Sequence, residues 1–182
     1  MQLELDKVVF MPVGQAPHRE LQGDPGTEER LEMVELAIAD NERFETSRLE
    51  IDREGPSYTT DTLRALREAA PDHELFLILG GDQAAALAGW HEPEQVLALA
   101  TVAVAERLSW SRQAIGIKIG RLAGNRAIRY LDMPIIQISS SSIRRRAAAG
   151  QPIRYLVPDK VAAYIEANGL YGASAVPETA PA

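Results

Sequence analysis

Apolar positions change their period several times along this chain, and each change marks an element. Val8 to Met11 is a short run of β-branched, aromatic and apolar residues stopped by Pro12, the pattern of a buried strand. Residues 13–26 hold prolines and glycines and read as a loop. From Thr27 to Asp40, Leu31, Val34 and Ile38 recur at helical spacing, with Leu36 and Ala37 beside them. Thr27 is expected to cap this helix, and Glu28 and Glu29 in its first turn suit the helix dipole. Phe44 to Ile51 alternates imperfectly and predicts a strand. Thr60 to Ala70 predicts a helix stopped by Pro71, and Glu74 to Leu79 a strand. Helices are expected near Asp82 to Leu87 and over Pro93 to Leu99, then a strand over Thr101 to Ala105. Leu108 to Asn125 is ambiguous and fits a helix with a glycine-rich exit. Ile128 to Leu131 fits a strand. Ser142 to Ala149 and Pro158 to Ala167 read as helices, with Pro158 at a favourable first position and Gly169 near the stop. Gly172 to Ala182 is small, polar and proline-containing, so it reads as a disordered tail.

Strands alternating with helices predict an α/β fold with a parallel sheet and helices on both faces. Ligands of such folds sit outside the carboxyl ends of the strands. The loops after Val8–Met11, Leu75–Leu79 and Thr101–Ala105 carry the polar residues of interest. That placement is the main support, from pattern alone, for a nucleotide site.

Composition narrows the classes further. The 182 residues suit one domain, here taken as 1–171, with a real core. A net charge of -7 argues against a general nucleic-acid binder but leaves room for a local basic pocket. The chain has no cysteine, which excludes disulfides and thiolate metal sites. It shows no signal-peptide pattern and no apolar run of spanning length, so a cytoplasmic protein without a membrane partner is the expectation. Oligomeric state stays open.

The candidate chemistry lies in five short stretches. Ser139 to Ser142 precede Ile143 and Arg144-Arg145-Arg146 at the start of a helix. A helix start presents unpaired N–H groups and partial positive charge, and hydroxyls with an arginine would complete an anion site. The plainer reading is a capped helix with a solvated basic turn. His18-Arg19 lie just past a strand end, either solvated or against a phosphate. Gly80-Gly81-Asp82 is either a strand-to-helix turn capped by Asp82 or a place where a nucleotide approaches the backbone. Trp90 is either core or a ring able to stack on a flat ligand. Arg107 follows a strand. Glu28, Glu29, Arg30, Asp40 and Glu42 read as solvated helix faces, and no metal-ligand spacing of His with Asp or Glu is present.

Taken in order, Pro17-His18-Arg19, Ser57-Tyr58-Thr59-Thr60-Asp61-Thr62-Leu63, Gly80-Gly81-Asp82, Trp90, Ile138-Ser139-Ser140-Ser141-Ser142-Ile143-Arg144 and Val157-Pro158-Asp159 resemble bacterial nicotinate-mononucleotide adenylyltransferase. The resemblance runs from about Leu3 to Tyr171. The Tyr-Thr-x-Asp-Thr-Leu and Ile-Ser-Ser-Ser-x-Ile-Arg segments together are specific. It implies a Rossmann-like doubly wound parallel sheet of the nucleotidyltransferase type. It also implies transfer of AMP from ATP, arriving with Mg²⁺, to nicotinate mononucleotide, giving deamido-NAD and pyrophosphate. On this resemblance His18 and Arg144 are catalytic. Gly80, Asp82, Arg107, Ser141, Ser142 and Arg144 bind ATP. Tyr58, Thr59 and Trp90 bind the mononucleotide, Trp90 by stacking on the pyridine ring. Arg107 keeps the family's arginine but is followed by Leu108-Ser109 where the family commonly has Pro-Gly.

One departure stands out. The family opens with Gly-x-Phe-Asp-Pro-x-His-x-Gly-His after its first strand, and none of His18, His73 and His91 lies in such a pattern. The chain therefore reads as this enzyme without its first strand, phosphate loop and most of the first helix. Since that histidine pair should face the phosphates, much of the catalytic power is expected to be missing. A catalytically impaired nucleotide-binding remnant, and a relative acting on nicotinamide mononucleotide, stay open as alternatives.

Overall fold

Every strand pairing is parallel, as the alternation of strands and helices predicts, and the strands of the described residues fall into two sheets. The computed structural model describes residues 2–17, 23–105, 111–123, 128–134 and 136–172. In chain order the first elements are β1 (Val8–Phe10), α1 (Thr27–Ile38), β2 (Phe44–Thr46), α2 (Thr59–Ala69), β3 (Phe76–Gly80) and α3 (Gly81–Ala86). A 3-10 turn, Leu87–Gly89, leads to α4 (Pro93–Leu99), β4 (Thr101–Ala105), α5 (Arg112–Ala123) and β5 (Arg129–Leu131). The last are α6 (Ser140–Ala148), α7 (Asp159–Ala167) and a 3-10 turn, Leu170–Gly172. No helix among the described residues is long and apolar enough to cross a membrane.

The chain divides into two units, Met1–Gln2 with Ser57–Ile136, and Leu3–Pro56 with Gln137–Ala182. In the Ser57–Ile136 unit the sheet order is β3-β4-β5, with Leu79 opposite Val104 and Val104 opposite Tyr130. Alternation puts Leu77, Leu79, Val102 and Val104 on one face. That face joins a core with Leu87, Val96, Ile115 and Ile119, supplied by the helices and the first 3-10 turn and fully buried. In the Leu3–Pro56 and Gln137–Ala182 unit, β1 pairs with β2 from Val8 opposite Phe44 to Phe10 opposite Thr46. Its core joins Ile143 and Ala147 of α6 to Ile153 and to Val161 and Ile165 of α7, with Met33 and Leu36 of α1 packed against them.

Several boundaries differ from the sequence expectation for local reasons. β2 stops at Thr46 because Arg48 turns away, bonded to Glu28 at 2.8 Å and to Asp52 at 3.1 Å, and Asp52 N–H closes onto the Arg48 carbonyl. Thr27 is the first helical residue and not the cap. Gly26 takes the cap position at φ 117, ψ 163, a conformation that a side chain disfavours. Pro158 precedes α7 in an extended conformation, ψ 144, so the helix starts at Asp159. Arg30 is not solvated: it bonds Asp24 at 3.0 Å and the Val13 carbonyl at 2.7 Å. The segment left ambiguous does contain a helix, α5. Gly169 ends α7 at φ 59 as expected. The tail expected from Gly172 onward lies, apart from Gly172 itself, outside the described residues.

Candidate functional site

In the Ser57–Ile136 unit, α2 begins where an extended Tyr58 (φ -87, ψ 134) turns into Thr59. The Tyr58 carbonyl accepts from the N–H groups of Asp61 and Thr62, at 3.1 and 3.2 Å. Thr59 is thus the first helical residue, and its N–H is one of those a helix cannot satisfy internally. The Tyr58 ring lies against the His91 imidazole, centroids 4.4 Å apart and planes 34° apart. Thr60, fully buried, donates from Oγ1 to the His91 carbonyl at 2.8 Å. The segment that carries Trp90 is therefore fastened to the first turn of α2.

Trp90 follows the 3-10 turn, its N–H donating to the Leu87 carbonyl at 3.0 Å. Its half-buried ring packs against the core cluster that contains Leu87. The core reading of this residue accounts for its packing, and the residue is not fully enclosed.

β3 runs into α3 without a loop, and Gly80 and Asp82 sit at the carboxyl end of that strand. Gly80 is extended at φ -69, ψ 157, and a Cβ placed on it would meet nothing within 4 Å. Neither backbone strain nor crowding within the protein requires glycine here, while a close ligand would. Asp82 is exposed and lies inside the first turn of α3; Gly80 holds the cap position and no side chain caps that helix. The capping alternative for Asp82 is thereby removed.

In the other unit, Ser139 is the cap of α6, with φ -122 and ψ 147, and its Oγ accepts from the Ser142 N–H at 3.2 Å. The N–H groups of Ser140 and Ser141 remain at the helix start without an acceptor inside the helix. Arg144 Nη2 donates to Ser141 Oγ at 3.3 Å, which places a guanidinium beside that start. Ile143 and Ala147 anchor the helix in the core below. Burial pushes the Tyr171 phenol up; the positive charge of Arg144 opposes that, Asp24 adds to it, and Arg30 opposes it.

Of the expected residues, the structure joins Tyr58 and Thr59 to the Trp90 segment, puts Gly80 and Asp82 together after β3, and puts Ser141, Ser142 and Arg144 together on α6. His18 and Arg107 lie outside the described residues. Sequence reasoning missed Thr60, His91, Arg64 and Glu92. Thr60 stands three residues before the buried Leu63, on the apolar stripe of α2, which was the available signal. Among the described residues no group of three or more histidines and carboxylates forms a metal cage.

Comparison with known proteins completes the description. The cytidylyltransferase-like family model matches residues 1–146. A relative from Roseiflexus sp. is 43% identical over 175 residues, which cover 93% of this chain and 84% of the relative. One from Symbiobacterium thermophilum is 42% identical over 173 residues, covering 92% and 81%. One from Geobacillus thermodenitrificans is 39% identical over 171 residues, covering 94% and 74%. Each of the three carries the name probable nicotinate-nucleotide adenylyltransferase. The fold matches Plasmodium falciparum nicotinic acid mononucleotide adenylyltransferase, solved in complex with NaAD and with APC. The TM-score is 0.74 at 16% identity, over 93% of this chain and 84% of that one.

Proposed function

The chain belongs to the nicotinate-nucleotide adenylyltransferases, within the cytidylyltransferase-like family, and we propose that it transfers AMP from ATP to nicotinate mononucleotide, giving deamido-NAD and pyrophosphate in NAD biosynthesis. The structural observation that carries the reading is the fastening of the Trp90–His91 segment to the Tyr58-Thr59 start of α2. It sets a half-open indole and a helix-start N–H in one unit. The indole suits a pyridine ring, and the N–H suits the carboxylate that nicotinate carries and nicotinamide lacks.

The chemistry needs no covalent intermediate. A 5′-phosphate oxygen of the mononucleotide attacks the α-phosphorus of ATP, the bond to the bridging oxygen breaks, and pyrophosphate leaves with the electron pair. Catalysis is then a matter of placing the two phosphates in line and balancing developing negative charge. We assign Tyr58, Thr59 and Trp90 to the mononucleotide, and Gly80 and Asp82 to the adenosine side of ATP. On α6, Ser141, Ser142 and Arg144 are assigned to the triphosphate, supported by the open amides and the guanidinium at the helix start. His18 and Arg107 are assigned to phosphates and to the adenine end by family position alone. Mg²⁺ enters with ATP as part of the substrate, held by phosphate oxygens and water.

The test is the identity of the acceptor. The protein is supplied with ATP, Mg²⁺ and either nicotinate or nicotinamide mononucleotide, and products are separated by chromatography. The acid is expected to be bound in preference to the amide, and any deamido-NAD to form slowly and with an equal amount of pyrophosphate, since this sequence holds no His-x-Gly-His pair. Preference for the amide would move the protein to nicotinamide mononucleotide. Absence of both product formation and binding of the acid would overturn the reading.

A further inference from the structure

Thr60 occupies the position that the Tyr-Thr-x-Asp-Thr-Leu pattern leaves unspecified, and it is fully buried. A buried hydroxyl without a partner is costly, so its bond counts for more than one at the surface. That bond, Oγ1 to the His91 carbonyl at 2.8 Å, reaches 31 residues along the chain. It lands on the peptide unit between His91 and Glu92, one residue past Trp90.

Two further contacts hold the same segment. Glu92, next in the chain, stands at φ 46, ψ 58, in the left-handed region that residues with a side chain rarely adopt. Its Oε2 accepts from Arg64 Nη2 at 2.7 Å. Arg64 also pairs with Asp61 Oδ1 at 3.3 Å, which orients the guanidinium along the helix. On the other side, the His91 imidazole lies on the Tyr58 ring. Three neighbouring positions of α2 and its cap thus grip residues 91 and 92, while the Trp90 N–H is held by Leu87. The backbone on both sides of the indole is fixed.

A join between α2 and α4 would not by itself require a strained Glu92, since Pro93 already starts α4 at its preferred first position. What all three contacts hold together is the backbone just past Trp90 against the first turns of α2 and its Tyr58 cap. We propose that Thr60, assisted by the Arg64–Glu92 pair, is the positioning residue for Trp90 and so sets the affinity for the pyridine mononucleotide, separately from ATP. This inference rests on the proposed stacking role of Trp90.

The test uses the full chain carrying Trp110→Phe, so that Trp90 is the remaining tryptophan. Acrylamide quenching is read without ligand, and Kd for nicotinate mononucleotide and for ATP by calorimetry. Thr60→Val keeps the shape and removes the donor. It should raise quenching and weaken the mononucleotide by about three- to tenfold, the span of a neutral hydrogen bond, with ATP changed less than about twofold. Thr60→Ser should restore both readouts. Arg64→Ala acts at the exposed end of the same clamp, where folding is not at stake, and should shift both in the same direction. Equal losses for the two ligands, or unchanged quenching with unchanged mononucleotide affinity, would overturn the positioning role. If the parent binds no nicotinate mononucleotide while Thr60→Val still raises quenching, the proposed function fails and the clamp on Trp90 stands.

Discussion

Trp90 is the residue at which core packing and the proposed recognition of the pyridine ring meet. Its ring rests on the cluster around Leu87 and stays half open, so Trp90→Ala is expected to lower the melting temperature and to weaken nicotinate mononucleotide. The diagnostic quantity is the ratio of ligand effects. Loss of stacking should cost the mononucleotide about 1–3 kcal/mol more than ATP, by analogy with base–aromatic stacking. Calorimetric titration of both ligands reads it, and equal losses would mark Trp90 as core only. Gly80 gives the complementary case. Its conformation is ordinary and its Cβ direction is empty, so Gly80→Ala should leave the melting temperature unchanged or slightly raised while weakening ATP. A fall in melting temperature with normal ATP affinity would refute that assignment. Residue types such as these were legible in the sequence because tryptophan, glycine and a serine run have few interchangeable roles. Thr60 and His91 were not, because a hydrogen bond across 31 residues depends on how α2 meets the Trp90 segment, and no local pattern encodes that.

At the level of elements, α6 keeps its cap on a different residue from those proposed to bind the triphosphate. Ser139 holds the Ser142 N–H, whereas Arg144 points its charge at the helix start through Ser141. Ser139→Ala should therefore lower stability by about 1 kcal/mol, as loss of a cap does. Arg144→Ala should weaken ATP by roughly 1.5–3 kcal/mol, the value of a charged hydrogen bond, and spare the mononucleotide. Thermal melts and ligand titrations of the two variants distinguish the roles; ATP affinity unchanged in Arg144→Ala would reduce the serine run to a cap. The same region sets an alkaline limit. Folding holds the Tyr171 proton more tightly than the unfolded chain does, mainly through burial. Stability therefore falls as pH rises through the ordinary phenol value of 10.0. Tyr171→Phe should lessen that fall, measured by melts at about pH 8 and about pH 11, on either side of the usual tyrosine range. Helices and strands themselves were legible from periodicity, and α4 and β4 match their expected ends. Caps were less so, since Gly26 and Pro158 take their places through backbone angles that composition does not fix.

For the whole molecule, the alternation of strands and helices was enough to predict parallel pairing, and the observed sheets obey it. The division of the strands among the described residues into a pair and a triplet was not legible, because it depends on which strands become neighbours rather than on the character of any one strand. The net charge of -7 coexists with a guanidinium at the start of α6, so overall acidity does not conflict with the anion site proposed there. The central claim is that this fold recognises a pyridine mononucleotide by its ring and its carboxylate. Parallel calorimetric titrations with nicotinate and nicotinamide mononucleotide test it most directly. The expected result is saturable binding of the acid, with the amide weaker by about tenfold or more, since a helix-start N–H loses its anionic partner. Equal affinities for the two, or no binding of the acid, would contradict the claim.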